Sequence, residues 1–285
     1  MESKEFGLVF AQQIMGLEDL HYGYWDEDAK PTMAEFKNAQ KRYSEFIFNS
    51  IKEAAGNTDA KILDVGCGTG KMLVQLLDEG YEIDGVIPSP TLKNKIDEQL
   101  KEKERSYSPK IYDCYFQDFP EEDRQQKYDV IYFSESFQYI PMEANYQMVK
   151  SLLKPNGKVV ICDFFRSVHH GDGGPGDKSM GGGHGITQFY ELTNQNFTIL
   201  KDVDITKNVS QNIELLNNII MNQVKPAVQS IDAFLSHKYP WVYKFLRFYF
   251  RKKIKKTDYK YFQGHRSKEM FERYKTYHLL VLDNK

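Results

Sequence analysis

The feature that most constrains the fold of this chain is a glycine-rich segment at residues 61–72, with the sequence KILDVGCGTGKM. A short apolar run that contains one acid, Asp64, predicts a buried strand. Three alternate glycines follow, and a second apolar run with helical spacing then begins. A strand, a tight turn and a helix in this order form the nucleotide-cradling corner of a doubly wound α/β sheet.

The spacing of these glycines argues against two phosphate-binding loops. The dinucleotide fingerprint needs its third glycine three residues after the second, whereas Gly66, Gly68 and Gly70 are each separated by one residue. A P-loop ends in Gly-Lys-Ser/Thr, but Met72 stands where the hydroxyl residue is required and Val65 where the first glycine is required. A glycine-rich turn that only makes a tight corner is the alternative, although acid, spacing, strand and helix agree on a ligand site.

Composition narrows the class of protein. The 285 residues are 41% hydrophobic and 27% charged, which is typical of one elaborated globular domain. A net charge of -2 argues against a general nucleic-acid binder. Cys67, Cys114 and Cys162 lack metal-ligand or disulfide spacing, so we expect no metal and a reducing cytoplasm. We expect neither a membrane span nor a signal peptide, because apolar runs are short and the chain starts with polar residues.

Alternating strand and helix patterns predict a parallel sheet with helices on both faces. The predicted strands are 61–65, 81–87, 111–116, 128–133, 158–163, 197–205 and 277–282.

The loop that starts at Asp64 resembles motif I of the class I S-adenosylmethionine (SAM) dependent methyltransferases. The resemblance covers residues 60–205 and includes Asp118, the Glu-Ser pair at Glu135 and the turn at 152–157. It is closest to small-molecule members of the quinone, tocopherol and sugar type. It implies a seven-stranded Rossmann-like sheet, SAM as methyl donor and S-adenosylhomocysteine as product.

The same resemblance suggests how the chain is divided within a single domain, residues 1–285. We expect an N-terminal helical arm and lid over 1–58 and a SAM-binding core over 59–205. A helical cap over 206–274 is inserted between the last two strands, and 275–285 forms a final edge strand. Because the insertion and the glycine-rich segment 171–185 meet at the carboxyl edge of the sheet, we expect a capped and largely enclosed pocket.

Two sets of side chains are expected at this pocket. For the cofactor they are Tyr24, Asp64, Gly66, Cys67, Gly68, Gly70, Ile87, Asp118 and Ser134. For the substrate they are Tyr22, Trp25, Phe137 and Tyr139. Asp118 is expected at the adenine amine. Ile87 departs from the family pattern, because the acid that usually accepts the ribose hydroxyls is replaced by an aliphatic residue; Ser89 or a backbone group is the suggested substitute.

The arm sequence HYGYWD at 21–26 is similar to an aromatic arm that closes over cofactor and substrate in small-molecule methyltransferases. Aromatic faces suit a sulfonium cation. An aromatic contact that only fixes the first helices is the alternative.

Two residues are candidates for moving a proton. Glu135 follows a predicted strand between aromatic residues, where burial raises a carboxyl pKa; anchoring its own loop is the alternative. His184 lies in a glycine-rich loop that can carry an imidazole over a substrate; an idle surface histidine is the alternative. A metal site built from His169, His170, Asp172 and His184 matches no defensible ligand spacing.

Residues 241–256 hold seven basic residues, no acid and many interleaved aromatics. This pattern is typical of a cap with an aromatic face, of a helix at a membrane surface, or of an RNA-binding segment, in that order of preference. An aromatic pocket favours a small lipophilic or aromatic acceptor.

The sequence therefore predicts a cytoplasmic SAM-dependent methyltransferase, with peripheral membrane contact as a further expectation. A non-catalytic SAM-fold protein that binds a lipid or a partner through 241–256 is the alternative. An RNA methyltransferase comes third, since the Asn/Asp-Pro-Pro-Tyr signature is missing after the fourth strand.

Overall fold

The computed structural model describes residues 21–284, and its centre is one seven-stranded sheet with the order β3-β2-β1-β4-β5-β7-β6. The helical part of the arm that the sequence predicts over residues 6–20 lies outside the described residues. The strands are β1 Lys61–Val65, β2 Glu82–Val86, β3 Ile111–Tyr112, β4 Tyr128–Ser134, β5 Leu153–Arg166, β6 Phe197–Asp204 and β7 Lys275–Asn284. The helices are α1 Met33–Ala55, α2 Lys71–Asp78, α3 Pro90–Lys101, α4 Met142–Leu152, α5 Ile186–Asn196, α6 Thr206–Ile219, α7 Lys225–Lys238, α8 Pro240–Tyr249, α9 Arg251–Thr257 and α10 Lys268–Tyr274.

The doubly wound α/β architecture is confirmed. Strands β1 to β5 pair in parallel, because each helix returns the chain to the same edge of the sheet. The strand residues alternate between two buried clusters, so both faces need a helical layer. One cluster includes helices α1, α2, α6 and α10, and the other includes α4 and α5.

The last strand departs from the expected position. The sequence predicts an edge strand over residues 275–285, but β7 lies between β5 and β6 and is antiparallel to both. Strand β6 is therefore the edge. An interior position suits β7, because most of its side chains are buried on both faces of the sheet. In β6, by contrast, partly buried and exposed side chains alternate after the first residue.

Two other strands differ in length from the prediction. Strand β3 is only two residues long, and a 3₁₀ turn at Phe116–Asp118 takes up the rest of the predicted strand. Strand β5 begins earlier than predicted, because the turn residues before Lys158 bulge out of its pairing with β4. Asn156 adopts a φ of 63° in this bulge.

The insertion between β6 and β7 behaves as two parts. Helices α6 and α10 pack on the sheet and on each other, with Ser210 Oγ donating to Glu272 Oε1 at 2.7 Å. In α7, α8 and α9, all within the described range, no residue is buried. The expectation that residues 241–256 bury an aromatic face as a pocket cap is therefore wrong. Within residues 21–284 no helix is both long and apolar enough to cross a membrane.

Candidate active site

The glycine-rich loop after β1 is fixed by protein contacts at two of its glycines. Gly66 has a φ of 82°, and a Cβ placed there would lie 2.5 Å from Ser136 Cβ. Gly70 has a φ of 81°, and a Cβ there would lie 2.7 Å from Ile96 Cγ1. Any side chain at these positions would collide and strain the backbone, since L-residues rarely adopt this φ. Each glycine is therefore needed to close the corner between strand and helix.

The middle glycine differs, since it leaves room for a ligand. A Cβ on Gly68 would meet no atom closer than 4.0 Å, which leaves open space beside the backbone. Residues 65–70 contain no basic side chain, so the loop offers no charge for phosphates. These two properties fit the close approach of a cofactor that has no phosphates, such as the methionine part of SAM. Cys67 lies in this loop with its side chain buried, and its backbone N–H donates to Val86 O.

Asp64 lies one strand residue before the loop and is 3% exposed. Burial raises the pKa of its carboxyl to about 7, against the opposing effect of the nearby Tyr132 hydroxyl. The side chain faces the cluster that contains helix α1, as does Tyr132. The charge of this carboxyl at neutral pH is therefore sensitive to whatever binds beside it.

At the end of β2, where the ribose is expected, Ile87 stands in the position of the usual acid. Ile87 follows β2 with a buried side chain, and its backbone N–H donates to Tyr112 O at 2.9 Å. Ser89 is the N-cap of α3, since its hydroxyl accepts from Leu92 N. Asp118 lies exposed on the 3₁₀ turn after β3, at the same edge of the sheet.

The aromatic arm is clamped between α1 and α6. Tyr24 N donates to Ala39 O at 2.8 Å on α1. On α6, Asn212 Oδ1 accepts from Gly23 N at 2.8 Å and from Trp25 Nε1 at 3.1 Å, and its Nδ2 donates to Gly23 O. The side chain of Trp25 is only 2% exposed. Its burial holds the arm in place and leaves the ring no surface for a substrate. The expectation that Trp25 lines the substrate pocket is therefore wrong. Tyr24 keeps a partly exposed ring beside Phe46.

Glu135 is the residue on which the arm, the sheet and the loop after β4 converge. Its Oε1 accepts from Tyr22 N at 3.0 Å and from Tyr277 Oη at 3.1 Å. Tyr43 Oη lies 2.5 Å from Tyr277 Oη, so a hydroxyl chain leads from α1 to the carboxylate. Burial raises the pKa of the Glu135 carboxyl, and burial and the nearby Glu135 charge raise the pKa of Tyr22.

The backbone of Glu135 is strained in a way that matters for its position. Its φ of 54° is unusual for a residue with a side chain and costs on the order of 1–2 kcal/mol. Its N–H donates to Cys162 O at 2.9 Å, which holds the turn against β5. The strain aims the carboxylate at the arm.

The remaining residues after β4 separate into three environments. Ser134 ends the strand and is half-buried, and Tyr139 is 65% exposed. Phe137 is fully buried, with rings of Phe133 and Phe189 edge-on at 5.5 and 5.7 Å. The expectation that Phe137 lines the substrate pocket is wrong, because its ring belongs to the core on the other face of the sheet.

His184, which was expected to carry its imidazole over a substrate, is held by the loop after β4. Its Nε2 lies 2.9 Å from Ile140 O and 3.2 Å from Phe137 O, and its ring packs against that of Phe137. One nitrogen that donates to two carbonyls fixes the imidazole. The geometry supports a positioning role for His184, in which it ties residues 181–185 to the loop after β4.

Two buried ionisable residues were missed by sequence reasoning. Asp163, in β5, accepts from Gln138 N, Gln138 Nε2 and Phe164 N at 2.8–3.0 Å, and burial raises its pKa to about 8. Lys275 opens β7, is 3% exposed, and donates from Nζ to Gly181 O and Gly182 O. Burial lowers the pKa of Lys275 to about 7. The available signals in the sequence were an acid, Asp163, at the end of one apolar strand pattern and a lysine, Lys275, just before another.

Across residues 21–284, no three side chains of His, Cys, Asp or Glu come close enough to hold a metal ion. Asp172, one member of the weighed metal set, accepts from Arg273 Nη2 at 2.7 Å and from Tyr274 Oη at 3.2 Å. Its carboxylate therefore joins the glycine-rich segment to α10.

Comparison with known proteins agrees with this geometry. A family model described as a methyltransferase domain matches residues 39–196, which is more than half of the chain. An uncharacterized methyltransferase of Staphylococcus carnosus is 26% identical over 132 residues, covering 45% of this chain and 57% of that protein. A sterol 4-C-methyltransferase of Caenorhabditis elegans is 30% identical over 106 residues, covering 37% of this chain and 31% of that protein. The chain thus spans at most about half the length of these relatives.

A solved structure extends the likeness to nearly the whole chain. The geranyl diphosphate C-methyltransferase of Streptomyces coelicolor, solved with S-adenosylhomocysteine, superposes with a TM-score of 0.64 at 16% identity. The match covers 97% of this chain and 92% of that one, so the two proteins share a fold. None of these comparisons supports the non-catalytic alternative. The chain therefore belongs to the methyltransferase domain family, a family of SAM-dependent enzymes.

Proposed function

We propose that this protein transfers the methyl group of SAM to a small lipophilic or aromatic acceptor, on oxygen, nitrogen or carbon. The observation that carries the proposal is the meeting of Glu135, Tyr22 and Tyr277 beside the glycine-rich loop. In this proposal the carboxylate and the aromatic rings would surround the acceptor where it faces the methyl donor. The reaction would take place in an enclosed pocket within one domain that comprises the arm, the core and the insertion.

For the cofactor we propose the loop at Gly66–Gly70, with the ring of Tyr24 and the backbone and hydroxyl of Ser134 as further contacts. Asp118 would accept from the adenine amine. With Ile87 unable to bind the ribose hydroxyls, backbone groups after β2 would do so, because the Ser89 hydroxyl already caps α3. The open space at Gly68 supports this placement.

SAM supplies an electrophilic methyl on a good leaving group, so in-line displacement needs mainly alignment and exclusion of water. We propose that Glu135 orients the acceptor or takes its proton, and that Tyr277 and Tyr43 hold the carboxylate in place. Tyr139, which is exposed at the same edge, would contact the acceptor. Burial of Glu135 supports a role in proton transfer, because a raised carboxyl pKa brings a base closer to the operating pH.

The relatives support the substrate class. One is named a sterol methyltransferase, and one structural neighbour holds a geranyl diphosphate. A sterol skeleton and a geranyl chain are apolar, as are the aromatic side chains around Glu135.

The finer location also belongs to this proposal. We propose that the protein works in the cytoplasm with peripheral contact to a membrane surface. The three free cysteines support a reducing compartment. The exposed aromatic side chains of residues 241–250 support the membrane contact.

The test has two arms. Calorimetric titration should give micromolar binding of S-adenosylhomocysteine, on the order of -8 kcal/mol, and none of NAD or ATP. Radiolabelled SAM incubated with a sterol, a catechol, an aromatic acid and an RNA oligomer should label an organic-extractable product. Failure to bind the cofactor, or label in RNA alone, would overturn the proposal.

The role of Glu135 is tested separately. Glu135→Gln should lower turnover by about 10²–10⁴-fold with cofactor affinity unchanged. Glu143→Gln, an exposed glutamate in the first turn of α4, is the matched control and should leave turnover unchanged. Equal turnover of Glu135→Gln and wild type would remove Glu135 from proton transfer while leaving the cofactor result intact.

A further inference from the structure

Helices α7, α8 and α9, which we call the outer helices, expose a large apolar surface. Trp241 is 86% exposed and Tyr249 is 71% exposed, which is far from the usual state of aromatic side chains. The other exposed apolar residues of this surface are Val228, Ile231, Phe234, Leu235, Val242, Phe245, Leu246, Phe248, Phe250 and Ile254. So many exposed apolar side chains on neighbouring helices mark an interaction site.

The contact between α7 and α8 is polar, and its ion pair is about half exposed. Asp232 on α7 accepts from Tyr243 Oη at 2.8 Å and from Arg247 Nη1 at 3.1 Å on α8. Ile231, next to Asp232, and Phe245, between Tyr243 and Arg247 in the sequence, are instead 58% and 67% exposed. A hairpin that pairs through polar groups and turns its apolar residues outward is suited to an apolar surrounding.

The base of the outer helices is closed. Lys225 Nζ donates to Phe262 O at 2.9 Å, which joins the π-helical turns Ile220–Val224 and Asp258–Phe262. Beyond this base the insertion returns to α10 and β7 at the carboxyl edge of the sheet. The outer helices are therefore an outgrowth of the edge that carries Glu135.

Charge identifies the partner. The exposed basic residues of α8 and α9 are Lys244, Arg247, Arg251, Lys252, Lys253, Lys255 and Lys256, and residues 241–256 hold no acid. Seven like charges oppose docking of a second copy through this face. Aliphatic residues such as Val242 and Leu246 offer no stacking surface for the bases of RNA. Exposed aromatic, aliphatic and basic side chains on the same short helices together match the interface of an anionic lipid bilayer.

The geometry points to the outer helices as a device that docks the enzyme on an anionic phospholipid bilayer, with Trp241, Phe245 and Phe248 in the headgroup region and the lysines at the lipid phosphates. Helix α8 is 10 residues long, about 15 Å, so it lies in one leaflet and does not cross it. Docking would put the carboxyl edge near the membrane. This inference deepens the peripheral contact proposed above and rests on the proposed function. A lipophilic acceptor dissolved in the bilayer would then reach the site directly.

The test is flotation of the full chain with vesicles of phosphatidylcholine alone and of phosphatidylcholine mixed equally with phosphatidylglycerol. The protein should float with the anionic vesicles, less at high salt. Tryptophan emission should shift to the blue, and Trp241→Phe should abolish the shift, because Trp25 is already buried.

Variants separate the two parts of the surface. Phe245→Ser with Phe248→Ser should weaken binding to anionic vesicles about tenfold or more, and so should Lys252→Glu with Lys253→Glu. Two controls lie outside the outer helices. Tyr115→Ser removes a ring that is 61% exposed, and Lys30→Glu with Lys37→Glu reverses the charge of two exposed lysines. Both controls should bind vesicles like wild type.

The inference would be overturned by no flotation of wild type, by equal binding of the Phe245/Phe248 variant and wild type, or by a dimer that this variant dissolves. Binding of an RNA oligomer in place of vesicles would also overturn it. Titration of every sample with S-adenosylhomocysteine keeps the two proposals apart. Cofactor binding without flotation refutes only the docking, and flotation without cofactor binding refutes only the proposed chemistry.

Discussion

At the scale of single residues, the site combines groups whose charge is expensive to bury. Burial is the main cause of three shifted pKa values: it raises the carboxyl pKa of Glu135 and of Asp163, and it lowers the amine pKa of Lys275. Hydrogen bonds offset part of this cost, since Asp163 accepts three and Lys275 donates to two carbonyls. Residues that cost stability in this way cluster at functional sites.

Lys275 gives the first prediction from stability. In the folded protein the pKa of about 7 leaves its amine uncharged at higher pH, whereas in the unfolded chain the amine stays protonated up to the ordinary lysine pKa of 10.5. The unfolded state then binds more protons, so this residue makes wild type gain stability as pH rises from 7 to 10, by up to about 1.4 kcal/mol per pH unit. Lys275→Met should lose that gain, as measured by denaturant unfolding at several pH values.

The control for this prediction is Lys30→Met, an exposed lysine near the start of α1. Its profile should have the same shape as that of wild type. Parallel profiles for Lys275→Met and wild type would show that Lys275 keeps its charge in the fold.

At the scale of elements, the arm depends on helix α6. Asn208 and Asn212 lie four residues apart and so share one face of the helix. Asn208 Nδ2 donates to Trp25 O at 2.8 Å, and Asn212 bonds both backbone groups of Gly23. An extended arm makes no regular backbone hydrogen bonds within itself, so these amides, together with Ala39 O and Asn208 O, supply its partners.

The second prediction is that Asn212→Ala destabilises the protein by about 3 kcal/mol or more. It leaves Gly23 N, Gly23 O and the Trp25 indole N–H buried without their partner, and each such group costs about 1–3 kcal/mol. Asn218→Ala, an exposed asparagine on the same helix, should change stability by less than about 0.5 kcal/mol. Denaturant unfolding measures both, and Trp25 emission should shift to the red only in Asn212→Ala. An equal effect of the two variants would contradict the clamp.

At the scale of the whole molecule, stability is unevenly distributed. The central strands are buried on both faces, whereas the outer helices have no buried residue among those described. Local opening costs least where few apolar contacts are lost. The molecule therefore combines a rigid sheet that positions the site with an outgrowth that depends on its surroundings.

Hydrogen exchange tests this contrast with a built-in control. Helices α6 and α7 are both 14 residues long, but α6 has six buried residues and α7 has none. Amides of α7 should exchange much faster than those of α6 in free protein, and anionic vesicles should slow exchange in α7 to α9 only. Equal protection of the two helices without vesicles would contradict the assignment.

The fold class and the cofactor corner could be predicted from the amino-acid sequence alone. Alternate glycines after an acid-containing strand are a local signal, because the turn, its positive φ values and the helix start are set by a dozen neighbouring residues. The strand and helix periods specified the order of elements in the same way. Glu135 was also visible, since it follows a strong strand pattern.

Which side chains meet at Glu135, and which faces stay exposed, depended on tertiary packing. Tyr277 and Asn212 lie more than a hundred residues from the groups that they bind, and local patterns carry no information on such distant pairs. A helix that buries an aromatic face and one that exposes it have the same residue spacing, so the prediction of a cap over 241–256 was wrong. The interior place of β7 likewise follows from strand pairing, which the hydrophobic pattern of a single strand does not specify.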